Sequence, residues 1–151
     1  MPREVTVVDA NLGNLDSVER AIVQVGAAVV VTGDPDRIAR SRMLVFPGQG
    51  AFGEVTNEII DGALGAAIRV VIGRGDPYLG ICVGMQMMAT RGLEYREVAG
   101  FDWIGGQVER IVPADPTLKV PHMGWNDLVI EQAHPVLDGL KTGDHAYFVH
   151  S

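Results

Sequence analysis

Pro77-Tyr78-Leu79-Gly80-Ile81-Cys82-Val83-Gly84-Met85-Gln86-Met87-Met88-Ala89 decides the fold, because it sets the only cysteine of this 151-residue chain between two glycines where a strand gives way to a helix. Pro77 to Ile81 has the apolar character of a short buried strand, and Met85 to Ala89 that of a helix start. Gly-x-Cys-x-Gly at such a junction has the form of a nucleophile elbow, with a thiol where many hydrolases carry serine. The turn is sharp, and glycine tolerates the backbone angles and close approaches it demands. A helix N-terminus beside the thiol favours thiolate over thiol. The competing reading is a buried structural cysteine, and the two flanking glycines weigh against it.

Outward from the elbow, the first half of the chain alternates strand and helix. Val5-Thr6-Val7-Val8 reads as a strand buried on both faces. After Asn11-Leu12-Gly13-Asn14 comes a helix with Leu15, Val18, Ile22 and Val25 on one stripe, ended by Gly26. Ala27 to Val31 and Met43 to Phe46 are the next strands. Glu54 to Gly73 fits a longer helix with a wide apolar face. The alternation predicts an α/β fold with a mostly parallel central sheet and helices on both faces. From about Gly100 the pattern turns β-rich: Trp103 to Ile111, Leu128 to Glu131 and Tyr147 to His150 read as strands between Pro/Gly/Asp turns. Met85, Met87 and Met88 read as core filling behind the elbow.

The length suits a single domain, residues 1–151, with a core large enough to fold without staples. A single cysteine rules out an intramolecular disulfide framework and suits a reducing, cytoplasmic setting. A net charge of −7 argues against nucleic acid or an anionic membrane surface as the main partner. No apolar run approaches a membrane span, and Met1 to Val8 lacks the pattern of a signal peptide. The chain stops inside the apolar run Ala146 to Ser151, from which we expect the natural protein to continue beyond it.

In parallel sheets, sites collect at the carboxyl ends of strands. Two loops there precede the elbow. Pro47-Gly48-Gln49-Gly50 can aim backbone N–H groups at a ligand, and an acyl-transfer site needs such donors for a developing oxyanion. The N–H of Val83, directly after the cysteine, would be the second donor. A plain glycine-rich turn is the alternative for the first loop. Gly13 and Asn14 could line the same pocket, or Asn14 could simply cap the following helix.

Taken in order, Gly13-Asn14-Leu15, Phe46-Pro47-Gly48-Gln49-Gly50-Ala51-Phe52, Gly80 to Gln86, Pro121-His122-Met123-Gly124-Trp125-Asn126 and Tyr147 to Ser151 closely resemble the glutaminase subunits of imidazole glycerol phosphate synthase. These are class I (triad-type) glutamine amidotransferases of histidine biosynthesis. The resemblance runs from end to end, and the Pro-His-Met-Gly-Trp-Asn segment narrows it from the wider class to this subunit. It implies that Cys82 attacks the glutamine carboxamide to give a γ-glutamyl thioester and ammonia. It implies that Gln49 and Val83 offer backbone N–H groups to the oxyanion, and that Gly48, Gly50, Gln86, Glu94, His150 and Ser151 bind the glutamine. A carboxylate at Glu94 suits an α-ammonium; an ordinary solvated glutamate is the alternative. Gly13 and Asn14 would form the pocket rim. His122, Met123, Trp125 and Asn126 would face the synthase subunit, a (β/α)8-barrel cyclase in a heterodimer, whereas a core tryptophan is the alternative for Trp125. The cyclase turns the ammonia into imidazole glycerol phosphate and aminoimidazole carboxamide ribotide. No cofactor or metal is implied.

A cysteine nucleophile of this type needs a histidine oriented by a carboxylate. The family takes both from a His-Pro-Glu segment that the resemblance places beyond Ser151. His134 is followed by Pro135 and Val136, His145 reads as a solvated turn residue, and His122 and His150 match other family features. The competing function is a glutaminase-dead subunit that only binds the cyclase, and a third is an unrelated cysteine hydrolase.

Overall fold

The valine run at the N-terminus becomes the centre of the sheet. In the computed structural model, which describes residues 3–53 and 59–151, β1 (Glu4–Val8) lies between β2 (Ala28–Thr32) and β3 (Leu44–Gly48). All pairings are parallel, and β4 (Tyr78–Cys82) completes the order β2-β1-β3-β4. Strand alternation sends the two faces of the sheet into two cores. Val5, Val7 and Val45 pack with Leu15, Val18 and Ile22 of α1 (Leu15–Gln24). Val8, Leu44 and Phe46 pack on the opposite face with Ile38 of α2 (Pro35–Arg40) and Ala67, Ile68 and Val71 of α3 (Ala63–Gly73). Helices on both faces of a parallel sheet are what the sequence pattern predicts.

Several local expectations change. Asp34 caps α2 by accepting the Asp36 N–H, with Pro35 in the first turn; this Asp-Pro start signal was legible and the helix was not expected. Val25 leaves the α1 stripe and is exposed, lying past the helix end where Gly26 turns the chain at φ +85°. The expected helix from Glu54 falls partly outside the described residues, and α3 begins only at Ala63, after a bend at Asp61 and Gly62. Strand β4 is covered on one face only, that of Tyr78 and Gly80. It is the sheet edge, and Leu79 and Ile81 are exposed beside Val18, Ala21 and Ile22 of α1.

The helix after the elbow is a single turn, α4 (Val83–Gln86), followed at once by β5 (Ala89–Gly92). Met88 N–H donates to Met85 carbonyl at 3.0 Å, which closes the turn. The Phe101 N–H then takes the Met87 carbonyl and the Trp103 and Ile104 N–H groups take that of Met88, drawing the chain into strand pairing. Met87 is fully buried, but Met85 is exposed, so the methionines do not all fill the core. A second sheet has the order β6 (Val98–Ala99), β5, β7 (Ile104–Val108).

The chain divides into two units, Met1–Glu109 and Arg110–Ser151. The second is a two-stranded antiparallel ribbon of β8 (His122–Asp127) and β9 (His145–His150), with a 3-10 turn at Pro135–Leu137 between them. Leu128 to Glu131 is not a strand; the pairing ends one residue earlier, where Leu128 N–H meets the Asp144 carbonyl.

Candidate active site

Cys82 is the last residue of β4 and stands at φ 55°, ψ −118°, a region that non-glycine residues rarely adopt. Such strain costs roughly 1–3 kcal/mol and persists only where the surroundings enforce it. Here they do. A Cβ on Gly80 would fall 2.4 Å from the Gly84 carbonyl oxygen, and one on Gly84 would fall 1.9 Å from that of Phe46. Both flanking glycines are therefore demanded by close backbone approach, and the strand-to-helix reversal brings the exposed thiol out at the carboxyl end of the sheet. With α4 only one turn long, few aligned peptide dipoles stand behind the thiol, so the expected helix-terminus effect shrinks to the first N–H groups.

Gly48 pairs with Cys82 across β3 and β4, and a Cβ there would come 3.1 Å from the Gly84 nitrogen and 3.2 Å from Val83 Cβ. Gly13, at φ +96°, lies on the other side of Gly48, with its Cβ position 3.7 Å from the Gly48 nitrogen. The loop after β1, the turn after β3 and the elbow after β4 thus converge. Gln49 and Gly50 are exposed on that turn, Gly50 at φ +108°. Asn14 spends its side chain on a helix cap, accepting the Ser17 N–H at 3.2 Å.

Gln86, half-buried, closes α4. The Glu94 carboxylate accepts the Phe52 N–H at 2.7 Å, tying the loop after β5 to the chain just beyond Gly50. A carboxylate has lone pairs on both oxygens, so this bond leaves room for a second donor. Glu94 is therefore not simply a solvated glutamate. Nothing but tertiary structure joins residues 42 apart in sequence, and no local signal could have found this pair.

The remaining expected site residues lie in the second unit. His122 and His150 sit opposite each other in register and share a hydrogen bond, Nδ1 to Nε2, at 2.9 Å. They border an open pocket of about 680 Å³ that Val120, Pro121 and Phe148 also line. Ser151 follows β9 and is exposed. Period-2 alternation splits the expected partner-facing residues between the two faces of β8: His122 and Asn126 on one, Met123 and Trp125 on the other. Trp125 meets Tyr147 edge-on, with centroids 5.6 Å apart, and Met123 pairs with Val149. All four of these side chains are exposed, which excludes a core tryptophan. His145 is solvated as expected but does not sit in a turn: it opens β9 and pairs through Nε2 with Asp127 Oδ1 at 2.8 Å. His134 Nδ1 accepts the Val136 N–H. Among the described residues no group of three or more His, Cys, Asp or Glu gathers to hold a metal, and no helix is long and apolar enough to cross a membrane.

The family model for class-I glutamine amidotransferases matches residues 6–151. Imidazole glycerol phosphate synthase subunit HisH of Cereibacter sphaeroides is 53% identical over 152 residues, covering 96% of this chain and 72% of that protein. The subunit HisH of Ruegeria pomeroyi is 52% identical with the same coverage. A crystal structure of a glutamine amidotransferase superposes with a TM-score of 0.69 over 95% of this chain and 70% of its own; at 19% identity this likeness speaks for the fold alone. The matched span takes in the strained cysteine elbow and both loops that meet it, and the chain belongs to the class-I glutamine amidotransferases, among the HisH subunits of imidazole glycerol phosphate synthase.

Proposed function

We propose that the chain hydrolyses glutamine at Cys82 and passes the ammonia to a cyclase subunit, a (β/α)8 barrel bound as a heterodimer, in the cytoplasm. The observation that carries this reading is the exposed thiol on a strained elbow against the Gly48-Gln49 turn. The Cys82 thiolate attacks the carboxamide carbon of glutamine, and the carbonyl electrons move onto oxygen. Backbone N–H groups of Val83 and Gln49 stabilise that oxyanion. Collapse breaks the C–N bond, the nitrogen leaves as ammonia once protonated, and a γ-glutamyl thioester remains. Water cleaves the thioester to glutamate and restores the thiol.

Glu94 receives the α-ammonium of the substrate on the carboxylate that already holds the Phe52 N–H. Gln86, Gly48 and Gly50 bind the rest of the glutamine, and Gly13 and Asn14 edge the pocket. The unit Met1–Glu109 contains no histidine.

The test is labelling with an electrophilic glutamine analogue in the complex with the cyclase subunit. The expected result is one adduct, on Cys82, blocked by glutamine. An adduct elsewhere would remove Cys82 as nucleophile. Absence of any adduct, with cyclase binding intact, would favour a subunit that only docks.

A further inference from the structure

The carbonyl of Gly84 stands where a longer helix would have accepted the N–H of Met88, yet Met88 turns back to Met85. A helix that stops after one turn leaves such carbonyls to find other partners. The Gly84 carbonyl finds one in the strand beneath it: the Tyr78 hydroxyl donates to it at 2.7 Å. Tyr78 and Gly80 lie two residues apart on the same face of β4. Gly80, without a side chain, lets the Gly84 carbonyl approach, and Tyr78 receives it. On its other side Gly84 is pressed against the Phe46 carbonyl of β3. Residue 84 is thus held between two strands, two positions after the strained cysteine.

The tyrosine is itself fixed. Its ring meets Trp103 edge-on with centroids 5.8 Å apart, Trp103 stacks on Phe101 at 4.1 Å, and the Arg69 guanidinium lies 4.8 Å above the Phe101 ring. Burial pushes the Tyr78 phenol above its ordinary value, which keeps it protonated and a donor throughout the working pH range. The opposite face of β4, with Leu79 and Ile81, is exposed and offers the elbow no such support.

We infer that Tyr78 is a positioning residue for Cys82: its hydroxyl anchors the Gly84 carbonyl and so holds the elbow turn in the strained conformation that presents the thiol and the Val83 N–H together. Without the anchor, the turn is free to relieve the strain at residue 82. The inference rests on the proposed role of Cys82 only for its effect on turnover; its effect on the thiol is independent of substrate.

Tyr78→Phe keeps the ring and removes the donor. Cys82 is the only cysteine, so alkylation by iodoacetamide, followed by intact mass across pH in the cyclase complex, reports on this one thiol. The expected result is a changed pH profile of alkylation, a glutaminase kcat lower by roughly tenfold, as for one lost hydrogen bond, and a KM within about twofold of the parent. Trp103→Phe, which weakens the edge contact but keeps the hydroxyl, shifts the alkylation profile in the same direction by less. Leu79→Ala, on the opposite face, leaves it unchanged. A Tyr78→Phe profile superimposable on the parent overturns the positioning role, as does a loss confined to thermal stability. If glutamine analogues fail to label the parent, the proposed function falls, and the alkylation profiles still decide the role of Tyr78.

Discussion

A side chain on Gly84 would put its Cβ 1.9 Å from the carbonyl oxygen of Phe46 in the neighbouring strand. The obstructing atom is backbone in a fully buried part of β3, so neither partner can swing aside. Gly84→Ala must push α4 off the sheet, at a cost of ~3 kcal/mol, and lower Tm by roughly 10 °C. Gly105→Ala, where a Cβ meets nothing within 4 Å, is the matched control and should melt with the parent. Equal melting of the two variants would show that the elbow does not depend on this approach.

Glu94 links the turn after β3 to the loop after β5 through its bond to the Phe52 N–H. Glu94→Gln keeps an oxygen acceptor for that N–H but gives up the charge. It should fold normally and raise the glutamine KM by roughly 10- to 100-fold, the range expected when an ammonium loses a charged partner worth about 1.5–3 kcal/mol. Glu94→Ala should add a loss of stability of about 1–2 kcal/mol. A Glu94→Gln enzyme with parental KM would reduce Glu94 to a loop tie alone.

The elbow was legible because its causes are local: two glycines, one cysteine and an apolar run state the steric problem within five residues. The burial of β1 was legible for the same reason, since Val5-Thr6-Val7-Val8 is β-branched throughout and carries no charge, which suits the middle of a covered sheet. The exposure of Leu79 and Ile81 was not, because the composition of β4 does not say that it falls at an edge. Position in the sheet is a property of strand order. The division of His122 and Trp125 between opposite faces of β8 follows from strand alternation, but only once the segment is known to be a strand. The anchor from Tyr78 to Gly84 depends on where a helix stops, and that was decided by pairing with residues 101–104.

Arg74, just past the end of α3, donates to the carbonyls of Ala39 and Ser41 and pairs through Nε with Asp76 at 2.7 Å. This cluster joins the ends of α2 and α3 at the approach to β4. The hydrogen bond from Arg74, then its charge and that of Arg42, hold the Asp76 carboxyl below the usual carboxylate range. The folded-state pKa is depressed, so the stabilisation is present above the unfolded value near 4 and is lost as pH falls through the lower folded value. Denaturation midpoints measured between about pH 2 and 5 should therefore fall less steeply with acid in Asp76→Asn than in the parent. Parallel curves would show that the pair contributes nothing to the acid limb.

The ribbon of β8 and β9 presents Met123, Trp125, Tyr147 and Val149 on one face, all more than half exposed. Aromatic and aliphatic side chains this exposed are candidate anchors for a partner, and truncating a central one typically costs at least 2 kcal/mol of binding. Trp125→Ala should weaken association with the cyclase subunit by about 30-fold, measured by titration calorimetry. It should leave Tm nearly unchanged, because a side chain 68% exposed buries little on folding. Asn126 lies on the opposite face of the same strand, and a partner covering only the aromatic face would not reach it. Asn126→Ala should then change affinity less than threefold. Comparable losses for Trp125→Ala and Asn126→Ala would mean that the partner grips the ribbon from both sides, and the single-face assignment would be wrong.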